Sequence, residues 1–257
     1  MERRDGMIAV FDSGVGGISV LRQLVRQMPN ENFLYFGDSA NAPYGSRSTE
    51  EIRRLTLQNV EKLYRRGLKA LVIACNTATS AAIDALRQTY PQEIIVGIEP
   101  AVKLAAERFP HGRIAVMATE ATLREQKFNT LVHTYDGEEE IIPVPCPELV
   151  KFVERGETHS ESLMCYLHSR LDLLLARGLD GIVLGCTHFP FVRGAIAEVA
   201  GERVALLDGG EGTARETCRR IRAANLQNPP GKGTVLLENS LSTPQMLAQM
   251  HRMLADF

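Results

Sequence analysis

The sequence has no excess of either charge: 29 lysines and arginines stand against 31 aspartates and glutamates, a net charge of −2 over 257 residues. That balance leaves no electrostatic footprint for a nucleic acid. The arginines of RRLTLQNVEKLYRR are interleaved with acids, as on a solvated helix face. No apolar run approaches the roughly 18–20 residues that span a bilayer. MERRDGMIAVFDSG enters a first strand without the apolar stretch of a secretory signal. A cytoplasmic protein is expected, with no membrane partner. No Cys-x-x-Cys occurs, and five cysteines are an odd number in a long chain, so no disulfide framework is expected. A metal centre wants three or four soft ligands, and only His188 stands near a cysteine, so no metal is expected. FDSGVGGISV carries glycines at 14, 16 and 17 but Ser19 where the dinucleotide fingerprint needs its last glycine, and no Walker lysine follows. Neither NAD nor ATP is indicated.

What is present is an ordinary globular composition, 44% apolar and 23% charged. Short apolar runs read as strands at 8–11, 33–36, 71–74, 94–97, 114–117, 140–143, 181–184 and 204–207. Between several of them, ISVLRQLVRQM, EEIRRLTLQNVEKLYRRG and SESLMCYLHSRLDLLLARG repeat apolar residues at helical spacing. Gly67 and Gly178 close two of these helices, where a left-handed cap costs little. NPPGKG at 228–233 reads as a turn or surface loop. Continuous apolar strands alternating with helices indicate an α/β protein with parallel sheets covered on both faces.

The chain repeats itself. RGLKALVIACNTA at 66–78 aligns without a gap on RGLDGIVLGCTHF at 177–189, a spacing of 111 positions. IAVFDS at 8–13 pairs with IAVMAT at 114–119. Two similar parallel-sheet α/β domains are therefore expected, related by internal pseudo-symmetry. The first comprises residues 1–98 and 208–257, the second residues 99–207. Ligands of open parallel sheets bind outside the carboxyl ends of the strands. Two facing units would place both strand ends on opposite walls of one active-site cleft.

Cys75 and Cys186 each follow a strand and precede a helix or turn, where the helix dipole favours a thiolate. Cys146, Cys165 and Cys218 lack that context and read as structural. Two opposed thiols suit proton exchange at one carbon: a thiolate removes the proton from one side and a thiol delivers one to the other. The outcome is inversion of a stereocentre without a carrier cofactor. Such general acid–base chemistry needs both groups within reach of the reacting atom.

Other residues fall on the same rim. The glycine loop reads as a close-approach loop whose N–H groups face a carboxylate. Asp12 and Ser13 either bind an ammonium group, orient a thiol, or merely cap a helix. GDSANAPYGSRS either closes Tyr44 and backbone amides over a ligand or is a plain turn. Thr119 echoes Ser13 from the second wall. Glu154 and His188 are titratable residues that fall near the cleft, and an imidazolium two positions from Cys186 would favour its thiolate.

Taken together, FDSGVGG, DSANAPYGSRS, IACNTATS, CPELVKFVERGE, GCTHFP and LLDGG resemble the glutamate racemases of the aspartate/glutamate racemase superfamily, from about residue 7 to past residue 209. The resemblance implies a cofactor-independent, PLP-independent isomerase that interconverts L- and D-glutamate and supplies D-glutamate for bacterial peptidoglycan, hence for cell-wall biogenesis and cell shape. It implies Cys75 and Cys186 as the alternating base and acid, the first acting on D-glutamate and the second on L-glutamate. It implies Asp12, His188 and Glu154 as assisting groups. Substrate contacts carry over to Asp12, Ser13, Tyr44, Gly45, Asn76, Thr77, Thr119, Thr187 and His188. Many members carry a Ser and a Tyr where this chain has LREQKF. Members are often dimers, so a homodimer is expected. Aspartate racemase is the alternative within the class. A non-catalytic amino-acid-binding regulator is the alternative outside it, and would not need both thiols.

Overall fold

The computed structural model describes residues 6–99, 101–124 and 140–255. Residues 125–128 of the LREQKF segment lie outside the described residues. The first sheet contains β1 (Met7–Asp12), β2 (Phe33–Gly37), β3 (Leu68–Ile73), β4 (Ile95–Gly97) and β9 (Val235–Asn239) in the order β4-β3-β1-β2-β9. The second contains β5 (Arg113–Ala118), β6 (Glu140–Pro145), β7 (Gly181–Leu184) and β8 (Ala205–Asp208) in the order β6-β5-β7-β8. Every pairing is parallel. The repeat is topological as well as sequential: β4-β3-β1-β2 superposes in order on β8-β7-β5-β6. Beyond that correspondence, β9 extends the first sheet at its β2 edge.

Helices cover both faces because the central strands are apolar on both. In β1, Ala9 and Phe11 pack with Ile52, Leu55, Val60 and Leu63 of α2 (Thr49–Tyr64) and with Ile83 and Leu86 of α3 (Asn76–Thr89). Ile8 and Val10 point to the other side. There they meet Leu21 and Leu24 of α1 (Ile18–Gln27), Ala214 and Ile221 of α9 (Gly210–Ala223), and Met250 of α10 (Pro244–Ala255). The second sheet divides likewise. Ala115 and Met117 pack with α6 (Pro147–Glu154) and α7 (Glu161–Ala176), whereas Ile114 and Val116 face α4 (Val102–Arg108). Two shorter helices, α5 (Glu120–Arg124) and α8 (Arg193–Ala200), complete the described set. Gly67 and Gly178 take φ of +77° and +82°, the left-handed conformation expected after α2 and α7.

Strand β3 starts at Leu68, three residues before the apolar run that announces it. Lys69 interrupts the pattern yet is fully buried, because its ammonium pairs with Glu31 at 2.5 Å and donates to Leu226 O and Asn228 Oδ1. Such a pair is tolerated inside only with its hydrogen bonds satisfied. The cysteine assignments need one correction. Cys165 is exposed on α7 rather than packed, since the buried stripe of that helix runs through Leu163, Leu167 and Leu171. Cys146 is buried, Cys218 half-buried, and all five thiols are free. Among the described residues, no helix is long and apolar enough to cross a membrane.

Candidate active site

The carboxyl ends of β1, β3, β5 and β7 converge on a cavity of about 370 Å³, within the range of small-molecule sites of roughly 300–1,000 Å³. Cys75, from the end of β3, and Cys186, from the loop after β7, both line it. So do Ser13, Tyr44, Gly45, Asn76, Thr77, Thr119, Glu154, Thr187 and His188. Of the residues singled out in the sequence, Asp12 alone is not among the lining groups. It is fully buried at the end of β1, where Oδ1 accepts from Gly14 N (2.9 Å) and Oδ2 accepts from Thr187 Oγ1 (3.0 Å). Neither Asp12 nor Ser13 caps α1, whose cap residue is Gly17.

The two thiols differ in their surroundings. Cys75 is the N-cap of α3; its sulfur accepts from Ala78 N and lies 3.4 Å from Ser13 Oγ. The helix terminus does not win here. Burial, then the nearby Asp12 charge, pushes the Cys75 thiol up to about 12, and the bonds from Ser13 and Ala78 offset only part of that. Desolvation thus favours the neutral thiol at Cys75. Cys186 Sγ instead lies 3.6 Å from His188 Nδ1, and His188 Nε2 lies 2.7 Å from Glu154 Oε1. Burial works against charge on His188, but the contacts with Cys186 and Glu154 overcome it and hold the imidazole well above its ordinary pKa. Burial alone would raise Glu154; the hydrogen bond and charge of His188, with Val15 N–H, bring it below the usual carboxylate range. One wall thus presents a neutral thiol, the other a sulfur against an imidazolium–carboxylate pair.

The glycine loop explains how that second wall is held. Its amides do receive a carboxylate, but the protein's own: Val15 N donates to Glu154 Oε1 at 3.2 Å. A Cβ on Gly14 would land on Glu154 Oε1, and one on Gly16 would land on the His188 ring. Both glycines are there for close approach. Tyr35 fixes the loop from below by donating to Gly14 O (2.8 Å), and Ser19 Oγ lies 2.9 Å from both Gly16 O and Thr187 O.

Ala42, Pro43, Pro147 and Val150 make part of the lining apolar, and the polar groups among the rest are mostly spoken for. Tyr44 is buried and lines the cavity, but its hydroxyl is committed to Asp38 Oδ2, to which it donates at 2.8 Å. Thr77 and Thr119, which line the cavity, and Thr122, which does not, form a triangle of hydroxyls with sides of 3.1, 3.1 and 3.0 Å that joins the strand ends of the two sheets. Sequence reading missed Thr122; its signal was a threonine one helical turn after Thr119. Asn76 Oδ1 is buried with no partner among the described residues, and Asn76 lines the cavity. An orphaned acceptor at a cleft fits an ammonium donor from a ligand.

Two parallel α/β units with a thiol on each wall of an amino-acid-sized cleft define a class of two-walled α/β proteins, and similarity to known proteins gives it a family. The model of the Asp/Glu/Hydantoin racemase family matches residues 8–217, and the chain belongs to that family. It is 45% identical over 245 residues to a glutamate racemase of Clostridium perfringens, covering 95% of this chain and 94% of that one. Solved structures agree. Glutamate racemase of Thermus thermophilus, in complex with β-chloro-D-alanine, matches with a TM-score of 0.84 at 35% identity over 98% of this chain and 94% of that one. Escherichia coli glutamate racemase, in complex with L-glutamate and the activator UDP-MurNAc-Ala, matches with a TM-score of 0.85 at 29% identity over 96% and 95%.

Proposed function

We propose that this protein interconverts L- and D-glutamate by a two-base mechanism without a cofactor. The observation that carries the proposal is that Cys75 and Cys186, rooted in different sheets, line one cavity. In the L-to-D direction the α-carbon–hydrogen bond breaks and its proton passes to the sulfur of Cys186. Cys75 then delivers its thiol proton to the opposite face of the same carbon. In the reverse direction the roles exchange. Burial and Asp12 favour the protonated form of Cys75, which suits a proton donor toward the intermediate formed from L-glutamate. His188, held by Glu154, places a positive charge beside Cys186 and the developing carbanion. Asn76 Oδ1 receives the substrate ammonium, and the threonine triangle with the Tyr44–Gly45 backbone receives carboxylate oxygens. Asp12 acts from behind the wall by holding Thr187.

Glutamate is favoured over aspartate by the relatives. The curated ones at about 45% identity are named glutamate racemase, whereas the aspartate racemase of Picrophilus torridus shares only the fold at 12% identity. We extend the proposal to the division of the chain into residues 1–98 with 208–257 and residues 99–207. It also includes a homodimer in the cytoplasm that feeds peptidoglycan synthesis, a role that the activator bound to the Escherichia coli relative supports. The test is loss of optical activity from L-glutamate, D-glutamate and L-aspartate by exhaustively dialysed protein. Turnover of both glutamate enantiomers but not of aspartate is expected. Turnover of aspartate alone would replace the substrate, and no turnover of any of them would remove the reading.

A further inference from the structure

The C-terminal segment carries no motif, yet it reaches the catalytic wall. Helix α10 lies across the junction of the two units: Met253 packs against both the core behind the first sheet and the core of the second. Phe191, three residues after His188, does the same. From this helix Gln249 Nε2 donates to Glu154 O at 3.0 Å, with Val153 O at 3.4 Å. These are the last carbonyls of α6, which lack partners within the helix. Glu154 is therefore held at two points from the other unit, its side chain by Val15 N and its main chain by Gln249. Arg22 Nη1 donates to Met253 O (3.3 Å) and ties the far end of α10 to α1.

We propose that Gln249 is a positioning residue that fixes the end of α6 so that the Glu154 carboxylate stays on His188 and His188 stays on Cys186. The role rests on the racemase reading, in which that wall serves the L-glutamate face. Gln249 itself does not line the cavity, and its hydrogen bond reaches the lining residue Glu154 through the main chain. Its loss leaves the thiols and the substrate contacts in place and loosens one pair. The titratable groups that bear on His188 are Glu154 from α6, Cys186 from its own loop and Asp12 from the end of β1.

The experiment compares wild type, Gln249→Met, which keeps the length without the donor, Gln249→Lys, which restores a donor, and Glu154→Gln with and without Gln249→Met. In Gln249→Met, kcat for L-glutamate is expected to fall roughly tenfold with KM within about twofold, and Gln249→Lys is expected to recover most of the loss. In the Glu154→Gln background the same change should alter kcat by less than about twofold, because the two residues act as one unit. Independently of turnover, the NMR titration midpoint of His188 should move down in Gln249→Met, since the contact that raises it is loosened. An unmoved His188 midpoint, or an undiminished tenfold loss on top of Glu154→Gln, would overturn the role. Absence of glutamate turnover in wild type would remove the racemase reading alone, because the His188 titration still decides the role of Gln249. A Gln249→Met protein that does not fold leaves the decision to Gln249→Lys. Recovery of most of the wild-type kcat in that variant supports the donor role; a wild-type fold with a roughly tenfold loss of kcat contradicts it.

Discussion

Thr187 Oγ1 donates to Asp12 Oδ2 across 3.0 Å, joining the loop after β7 of one sheet to the end of β1 of the other. Thr187 lines the cavity and Asp12 does not, and the same carboxylate accepts from Gly14 N. Asp12 is thus the point where the glycine loop and the Cys186 loop share an acceptor.

Replacing Asp12 separates its hydrogen bonds from its charge. Asp12→Ala strands a buried N–H and a buried hydroxyl, at a cost of ~1–3 kcal/mol each. Asp12→Asn keeps an acceptor for Gly14 and offers Thr187 a donor, so its loss in chemical denaturation is expected to be the smaller.

Gly16→Ala places a methyl group on the His188 ring. The backbone cannot retreat, because Tyr35 and Ser19 hold the loop on either side. Turnover of glutamate is expected to fall by about 100-fold, the scale of a misplacement near 1 Å, with far-UV circular dichroism unchanged.

The charge state of Cys75 is readable by alkylation. A thiol pushed up to about 12 carries little thiolate at pH 8, so Cys75 should react with iodoacetamide more slowly than exposed Cys165. Its rate should rise throughout the alkaline range. Removing the neighbouring negative charge acts in the opposite direction to burial, so Asp12→Asn should speed labelling of Cys75. Peptide mass spectrometry across pH 7–10 checks both signs.

Thr122→Val removes one corner of the hydroxyl triangle while keeping the shape. A stability loss of about 1 kcal/mol is expected, together with a raised KM for glutamate, measured by steady-state racemisation.

What the sequence made legible is local. Apolar runs and turn residues mark strands β1 to β8, and the repeated RGL-to-Cys segment marks their pseudo-symmetry. Strand β9 escaped because VLLEN ends in a charged and a polar residue, is half-exposed and follows a proline–glycine loop. The start of β3 was hidden by Lys69, whose partner Glu31 lies in a different turn. Within the site, both cysteines and most lining groups stand next to strand ends and were visible. The pairing of Glu154 with His188, 34 positions apart, is set by how α6 meets the glycine loop, which no local pattern encodes. Burial likewise decides what spacing cannot: a helix N-terminus favours a thiolate at Cys75, but desolvation and Asp12 outweigh it.

The central claim is that two sulfurs work on opposite faces of one carbon. L-glutamate incubated with the protein in deuterium oxide, sampled before equilibrium and resolved by enantiomer, tests it most directly. The account predicts D-glutamate that carries deuterium at the α-carbon from the first turnovers, while the remaining L-glutamate is still largely protiated. D-glutamate that retains the original α-protium would mean one group serves both faces, and would contradict it.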